Sequence, residues 1–475
     1  MQWFPPTRGG DPAATAEEPV DGVDEALAAV DALDRALVTG LLRPQPAQAA
    51  GLAEFAEAFA ASPLASRVAE AAEKAAAGTA GEDHLVALAA ARTALLGSVH
   101  DAVAEHAAQF VRRDRAPHTP GDPAAEQPAN LLAAARSWLA DVARSGWRGL
   151  DHETVSGAAP VVTAMLPDPA LRRLATLLDG FAAELAASCP GASLERVPVR
   201  RWADLWSRAL LLTVPGALTA PAATAPATGR LLPLGVDLHE HATAVQAQVH
   251  AVFEPADGSP PLLVRASASA PKPDTIVGAG LWQLLRPHMS LLAAVGEGRS
   301  MELDAMPLTA EGDLVWDDAR ARTGEPADAF ATARVALSTA AEPATAPLDR
   351  HPVRLAVPVL LEGYTTESDD DGALTLTVAG RPPYAVETDR LPVAGPLTPE
   401  AVAASGACIA LLRWDAGAHR LQPLAVETTV RRKTVALHAG GWAGGTTDKT
   451  GAKAEKAATD AVAVLRERAG RLLRK

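Results

Sequence analysis

The sequence has few aromatic residues and almost no cysteine. Aromatic side chains make up 4% of the 475 residues although 48% are hydrophobic, so alanine and leucine must fill most of the core. Cores of that composition are typical of helices that pack closely together. Cys189 and Cys408 are the only cysteines, which excludes a cysteine-rich zinc site and argues against a disulfide framework.

Signals for secretion and membrane insertion are also missing. The N-terminus has no basic segment followed by an apolar core, and no uncharged apolar run approaches the roughly 18 to 20 residues of a membrane helix. The net charge of −14 disfavours non-specific binding of nucleic acid by the chain as a whole. We therefore expect a soluble, cytoplasmic protein. The Ala/Arg/Gly/Pro bias is typical of a high-GC bacterium.

The first half of the chain is predicted to be helical. After a loose Pro/Gly-rich tail over residues 1–20, apolar residues recur every three or four positions, which is typical of amphipathic helices. This spacing predicts an all-α domain over residues 21–213, broken by an exposed loop at 115–130. The predicted helices cover about 21–41, 47–77, 82–113, 130–145, 168–188 and 199–213.

The second half is predicted to be rich in β-strands. A Pro/Ala/Thr-rich stretch at 214–229 predicts a linker, and twofold apolar spacing follows it. The fold class is therefore α+β and multidomain, with a mainly antiparallel β-rich domain at 230–440 and a Gly-rich loop and basic helix at 441–475. One inserted helix is expected at 276–295. Strands are expected at about 242–254, 261–270, 299–306, 331–338, 353–362, 373–379, 407–414, 421–429 and 433–438.

One stretch at the start of the β-rich half holds a candidate metal site. Asp237, His239 and His241 lie two apart, so on an extended strand their side chains share one face. Two imidazoles and a carboxylate can bind a divalent metal and leave open positions. The alternative is a solvated strand edge. The spacing does not match the HExxH pattern, which needs histidines four apart on a helix.

Two further groups of residues are candidates for binding a protein partner. Trp202 and Trp206 lie on one helical face, where they form either a partner patch or a core anchor. The C-terminal helix carries seven basic residues against three acidic ones from Ala452 onward. It is expected to dock on the acidic body or to bind a partner, rather than nucleic acid. Its candidate binding residues are Arg466, Arg468, Arg471 and Arg474.

The remaining motifs offer little chemistry. The Gly-rich loop at 440–445 precedes a helix, but Lys449 follows Asp448 instead of the glycine of a phosphate-binding loop. There is no Gly-x-Ser-x-Gly elbow for a nucleophile. Cys408 opens an apolar strand and is interpreted as a buried hydrophobic residue.

These observations favour a non-enzymatic interaction or scaffold protein of a bacterial multi-protein system, with no resident cofactor. Its helical domain would supply one binding face, and its β-rich domain with the terminal helix would supply another. The first alternative is a metal-dependent enzyme that uses Asp237, His239 and His241. The second is a nucleic-acid-associated protein that uses the basic terminal helix.

Overall fold

The computed structural model describes most of the chain, and it is α+β as predicted, with helices before mainly antiparallel sheets and a helix at the end. The predicted tail, apart from Val20, and most of the loop at 115–130 lie outside the described residues. The described residues are 20–111, 128–215, 217, 224–241, 244–273, 275–369, 372–381, 383–415, 417–430 and 432–472.

The described residues of the helical part form nine α-helices, of which two short ones at 152–165 were not predicted from the sequence. Their apolar faces meet in one core that holds Leu37, Leu88 and Leu139, all fully buried. The helices are α1 (Val23–Thr39), α2 (Pro46–Glu57), α3 (Ala65–Ala76), α4 (Glu82–Val111), α5 (Ala129–Ser145), α6 (His152–Ser156), α7 (Ala158–Met165), α8 (Arg172–Ala187) and α9 (Val199–Leu212).

Two glycines let the ends of α1 and α5 touch. Gly40 and Gly146 both have positive φ, a conformation that side chains with a Cβ rarely adopt. A Cβ on Gly40 would lie 2.4 Å from the carbonyl oxygen of Arg144. The close approach allows the Leu41 amide to donate to the Ala143 carbonyl at 3.0 Å.

The longest helix, α4, connects the helical part to the β-rich part. Leu85 and Leu88 in its first half pack in the helical core, whereas Val99 and Val103 in its second half pack in the core of a β-sheet. A buried ion pair from Arg92 to Asp34 on α1, with Nε to Oδ1 at 2.7 Å, fixes α4 at the crossover. α4 therefore contributes to two cores, one among the helices and one that it shares with the β-rich part.

As far as the structure describes the chain, the first sheet has six strands in the order β1-β2-β3-β5-β4-β6, and β1 also pairs with β4. The predicted hairpin is present because β2 and β3 pair antiparallel across the Asp257-Gly258 turn. Val245 and Val249 share a buried face, as twofold spacing predicts. The strands are β1 (Thr224–Glu240), β2 (Ala244–Pro255), β3 (Leu262–Pro271), β4 (Arg299–Thr309), β5 (Asp313–Leu314) and β6 (Ala321–Pro326).

The second sheet has seven strands among the described residues, in the order β7-β11-β12-β10-β9-β8 with β13 paired to β12. Its pairs are antiparallel except for β10 and β12. The strands are β7 (Val357–Glu362), β8 (Tyr364–Ser368), β9 (Leu374–Val378), β10 (Tyr384–Val386), β11 (Ser405–Asp415), β12 (Ala418–Val430) and β13 (Lys433–His438).

Three details of the predicted layout are wrong. Residues 224–229, assigned to the linker, form the start of β1 and pair with β4. Residues 331–338, predicted as a strand, lie mainly in a helix because Asp328 caps it by accepting from the amides of Phe330 and Ala331. Within the described residues, the segment 276–295, predicted as one inserted helix, contains two short α-helices, and two further short α-helices lie later in the chain. These are α10 (Leu281–Leu285), α11 (Leu291–Gly296), α12 (Ala329–Ala336) and α13 (Pro399–Ala403), and α14 (Lys449–Leu472) ends the described chain.

Candidate functional site

A polar surface covers part of the first sheet, on the face opposite its apolar core. Strand pairing places Asp237 beside Gln248, and His239 beside Gln246. Directly opposed residues of an antiparallel pair point to the same side. A change of register between Pro233 and Gly235 turns this part of β1 so that Val236 faces the apolar core and Asp237 faces away from it.

Asp237 is the centre of a buried polar cluster that joins the two sheets. Its carboxylate accepts from Arg413 Nη2 on β11 at 2.6 Å, from Gln422 Nε2 on β12 at 2.8 Å, and lies 2.9 Å from His239 Nε2. The Asp237 side chain is only 2% exposed and that of Arg413 only 9%. The sheets approach closely here, since a Cβ on Gly235 would lie 2.6 Å from the Leu424 Cβ.

The electrostatics of this cluster favour charged Asp237. Burial by itself raises the pKa of the Asp237 carboxyl, but the hydrogen bond with His239 and the charge of Arg413 outweigh burial and hold that pKa well below its usual range. Burial lowers the pKa of the Arg413 guanidinium, and the charge of Asp237 opposes that effect. The cluster is thus an ion pair with added hydrogen bonds, the arrangement that makes a buried charge tolerable.

This use of Asp237 bears directly on the predicted metal trio. Both carboxylate oxygens already accept from protein donors, so a cation at this carboxylate would compete with the Arg413 guanidinium. His241 lies exposed just past the end of β1, and its backbone amide donates to the Ala244 carbonyl at 2.8 Å. Within the described parts of the chain, no group of three His, Cys, Asp or Glu side chains is arranged to hold a metal ion.

A cleft of about 1070 Å³ runs along this polar surface, between the helical and the β-rich parts. Asp237, His239 and His241 line one wall, and His100 of α4 and Arg173 of α8 belong to the helical wall. Segments at 309–313, 342–349 and 353–358 complete it. The three predicted residues thus share one cleft although they do not converge on one point.

The two predicted tryptophans lie inside the helical core. Trp202 is 2% exposed and Trp206 is fully buried. Trp206 Nε1 donates to the Leu139 carbonyl at 3.0 Å, and the Trp202 ring packs edge-on against Trp147 with centroids 5.9 Å apart. Of the two alternatives, the burial of both rings agrees with core anchors and not with a partner patch.

The Gly-rich loop connects β13 to α14 and packs tightly. A Cβ on Gly440 would lie 2.8 Å from a methyl group of Val236, and one on Gly296 would lie 2.4 Å from the Gly444 amide. Asp448 caps the following helix by accepting from the Gly451 amide at 3.0 Å. An aspartate therefore already occupies the anion-preferring helix N-terminus.

The predicted basic helix is present as α14. Its first half packs against α10 and the turn at 278–280, beside the first sheet. Ala458 is 3% exposed, and Glu455 pairs with Arg286 at 2.6 Å. Farther along, Arg468 and Arg471 are exposed, and Arg471 pairs with Glu467. Of the other predicted binding residues, Arg474 and the side chain of Arg466 lie outside what the structure describes.

Sequence reasoning missed the residues that complete the buried cluster, namely Arg413 and Gln422. A signal existed, since Arg413 interrupts an otherwise apolar strand that runs from Ala407 to Trp414. A charged residue inside such a strand requires a buried partner. The partner lies 176 residues away in the chain, so its identity could not be derived from spacing.

No protein-family model, curated protein or solved structure matches this chain. By length and composition alone, one helical stretch among the described residues, Glu82–Ala108, could cross a membrane. Of its most apolar 18-residue window, 56% is buried within the protein, and the stretch contains the Arg92 ion pair, so we assign it to the core.

Proposed function

We propose that this chain is a non-enzymatic, cytoplasmic interaction protein of a bacterial multi-protein system, and that the second half of α14 contacts an acidic protein partner. The observation that supports this most directly is the division of α14 into a docked half and an exposed half. Ala458 and Glu455 hold the first half, whereas Val464, Arg468 and Arg471 are exposed.

The docked half gives the exposed half a fixed direction. Gln283 Nε2 donates to the Glu455 carbonyl at 2.9 Å, and Thr459 Oγ1 donates to Gln283 Oε1 at 3.0 Å. A Cβ on Gly280 would lie 2.3 Å from the Ala458 Cβ, so the helices touch along their backbones. Because α14 is already held in place, its exposed side chains can bind a partner with a smaller loss of conformational entropy.

Charge favours an acidic partner. The helix has an excess of basic residues, while the whole chain has a net charge of −14, so the rest of the protein is strongly acidic. Such asymmetry steers association with an oppositely charged surface. Val464, which is 46% exposed, would add apolar contact beside the arginines.

The test compares two double charge reversals in the tagged full-length chain. Arg468→Glu/Arg471→Glu alters the proposed interface, and Arg43→Glu/Arg67→Glu changes net charge equally at exposed positions of the helical part. We expect binding of both the native partner and a fluorescent polyglutamate probe to be lost only in the first variant. Equal retention by both variants would contradict the proposal. Tighter, salt-dependent binding of a DNA or RNA oligonucleotide would favour the nucleic-acid alternative.

A second candidate function is a metal-dependent enzyme at the cleft. The observation in its favour is the Asp237–His239 contact at 2.9 Å, which places a half-exposed imidazole against a buried carboxylate on the cleft wall. Metal analysis of the purified protein, with His239→Ala as control, tests it. We expect no stoichiometric metal in either sample if the interaction proposal holds, whereas metal that disappears in His239→Ala would support the enzyme.

A further inference from the structure

Two buried polar atoms on the cleft wall have no hydrogen-bond partner among the described residues. One is Nε2 of His250, a side chain only 2% exposed, and the other is Nε of Arg265. The two residues are directly opposed in the β2–β3 pair, and both line the cleft. They lie outside the Asp237 cluster and outside α14.

Unpaired buried polar atoms are costly, so a neighbouring pair of them calls for an explanation. Each loses the hydrogen bond that it would make to water, and native proteins keep few of them. Arg265 is also held in place, because its Nη2 donates to Asp313 Oδ2 and to the Glu311 carbonyl, both at 3.0 Å. The guanidinium therefore keeps one orientation while its Nε–H remains unused.

The chemistry of the pair selects an oxygen acceptor. Burial lowers the pKa of His250 to about 3, so the imidazole is neutral near pH 7 and has one N–H to donate. With that proton on Nε2, His250 and Arg265 hold two unused N–H donors on directly opposed residues of the cleft wall. Two N–H donors on adjacent strands can serve the two oxygens of a carboxylate, and a charged donor such as Arg265 makes the stronger hydrogen bond.

The rest of the cleft favours hydroxyl groups and a single charge. Gln246 and Gln248 line it next to His239, and amide and imidazole groups both donate and accept. Arginines and carboxylates line the cleft in equal number, so its walls have no large positive excess to balance a polyanion. A volume of about 1070 Å³ admits a small molecule.

We propose that the cleft is a binding site for a small hydroxylated carboxylic acid, with its carboxylate on His250 and Arg265 and its hydroxyl groups toward Gln246 and Gln248. This site is independent of the α14 interface, because it uses different residues on a different face of the first sheet. No chemical conversion of the ligand is part of the proposal.

The experiment is calorimetric titration of the full-length chain with D-gluconate and D-glucuronate. Glucose, which lacks the charge, and glucose 6-phosphate, which carries a dianion, serve as comparison ligands. We expect both sugar acids to bind, glucose to bind at least about tenfold more weakly, and glucose 6-phosphate to bind no better than glucose. Arg265→Met should weaken sugar-acid binding about tenfold or more, while Arg320→Met, which lies outside the cleft, should leave it unchanged.

A second measurement needs no variant and so does not depend on the folding of Arg265→Met. In the wild-type chain, gluconate should slow amide hydrogen exchange in peptides that cover β2 and β3. The proposal is overturned if neither acid binds at concentrations up to about 10 mM. It is also overturned if glucose or glucose 6-phosphate binds as tightly as the acids, or if protection appears away from these strands.

Discussion

Replacing Arg413 with methionine tests whether the buried cluster holds the two sheets together. Methionine keeps the length of the side chain but removes the guanidinium that lies 2.6 Å from the Asp237 carboxylate. Asp237 would then remain charged, 2% exposed, and supported only by Gln422 and His239. Removing one partner of a buried ion pair costs about 3–5 kcal/mol, because the other charge is left uncompensated.

The retained donors place our expectation at the lower end of that range. At an effective dielectric of about 20, two unit charges 4 Å apart attract by about 4 kcal/mol, and this attraction is lost in the variant. Part of the loss is offset, because the variant no longer has to bury the charged Arg413 guanidinium. We therefore expect β1 and β11 to lose about 3 kcal/mol of stability at pH 7. Adding Asp237→Asn removes the stranded charge, so the double variant should recover about 2 kcal/mol.

Hydrogen exchange measures this locally, which matters because a chain with more than one core need not unfold in a single step. Opening free energies come from peptides that cover β1 and β11, and Arg320→Met, an exposed ion-pair variant, should change them by less than about 0.5 kcal/mol. The pKa of Asp237 is lowered in the folded state, so its contribution is present above the ordinary value of 3.8 and disappears as the pH falls through the lower folded pKa. A loss below about 1 kcal/mol for Arg413→Met at pH 7, or a double variant no more stable than the single one, would refute this reasoning.

Three further predictions follow from burial and packing. Burial raises the pKa of the Cys408 thiol to about 12, so a thiol reagent should label the half-buried Cys189 first and Cys408 only after unfolding, as read by mass spectrometry. Gly280→Ala should loosen α14 and speed proteolysis of the preceding loop about tenfold, because the new Cβ would lie 2.3 Å from a neighbouring Cβ, whereas Gly180→Ala, with no atom within 4 Å, should not. Because the folded pKa of His250 is about 3 and its ordinary value is 6.5, the unfolded chain binds more protons between these values. Stability should fall by about 1.4 kcal/mol per pH unit on acidification through that window, and His250→Gln should flatten the melting-temperature profile there.

The β-strand that carries the candidate site shows what spacing can and cannot predict. Twofold recurrence correctly placed Val245 and Val249 on one buried face of β2, because a strand alternates its side chains whatever it packs against. It also placed Asp237 and His239 on one polar side. It could not reveal the bulge near Pro233, which lets both Leu232 and Asp237 face the second sheet.

The tryptophans and α12 also show the limit of predictions from local sequence patterns. Helical spacing paired Trp202 with Trp206 but could not tell a surface from a core, since burial depends on which helices pack around them. The apolar content of 331–338 predicts a strand, although Asp328, two residues before Phe330, is a helix cap that the sequence also shows. Local capping chemistry, had it been weighed above apolar content, would have assigned this helix correctly.

The sequence by itself determined the α+β class, the order of helices before strands, the β2–β3 hairpin and the basic terminal helix. These depend on periodicity, turn residues and charge, which act over a few neighbouring positions. Only the tertiary structure decided that Arg413 would meet Asp237, that α4 would join two cores, and that a cleft would open beside His250 and Arg265. Those contacts join residues far apart in the chain, and they depend on the crossing of sheets and helices, which no local pattern encodes.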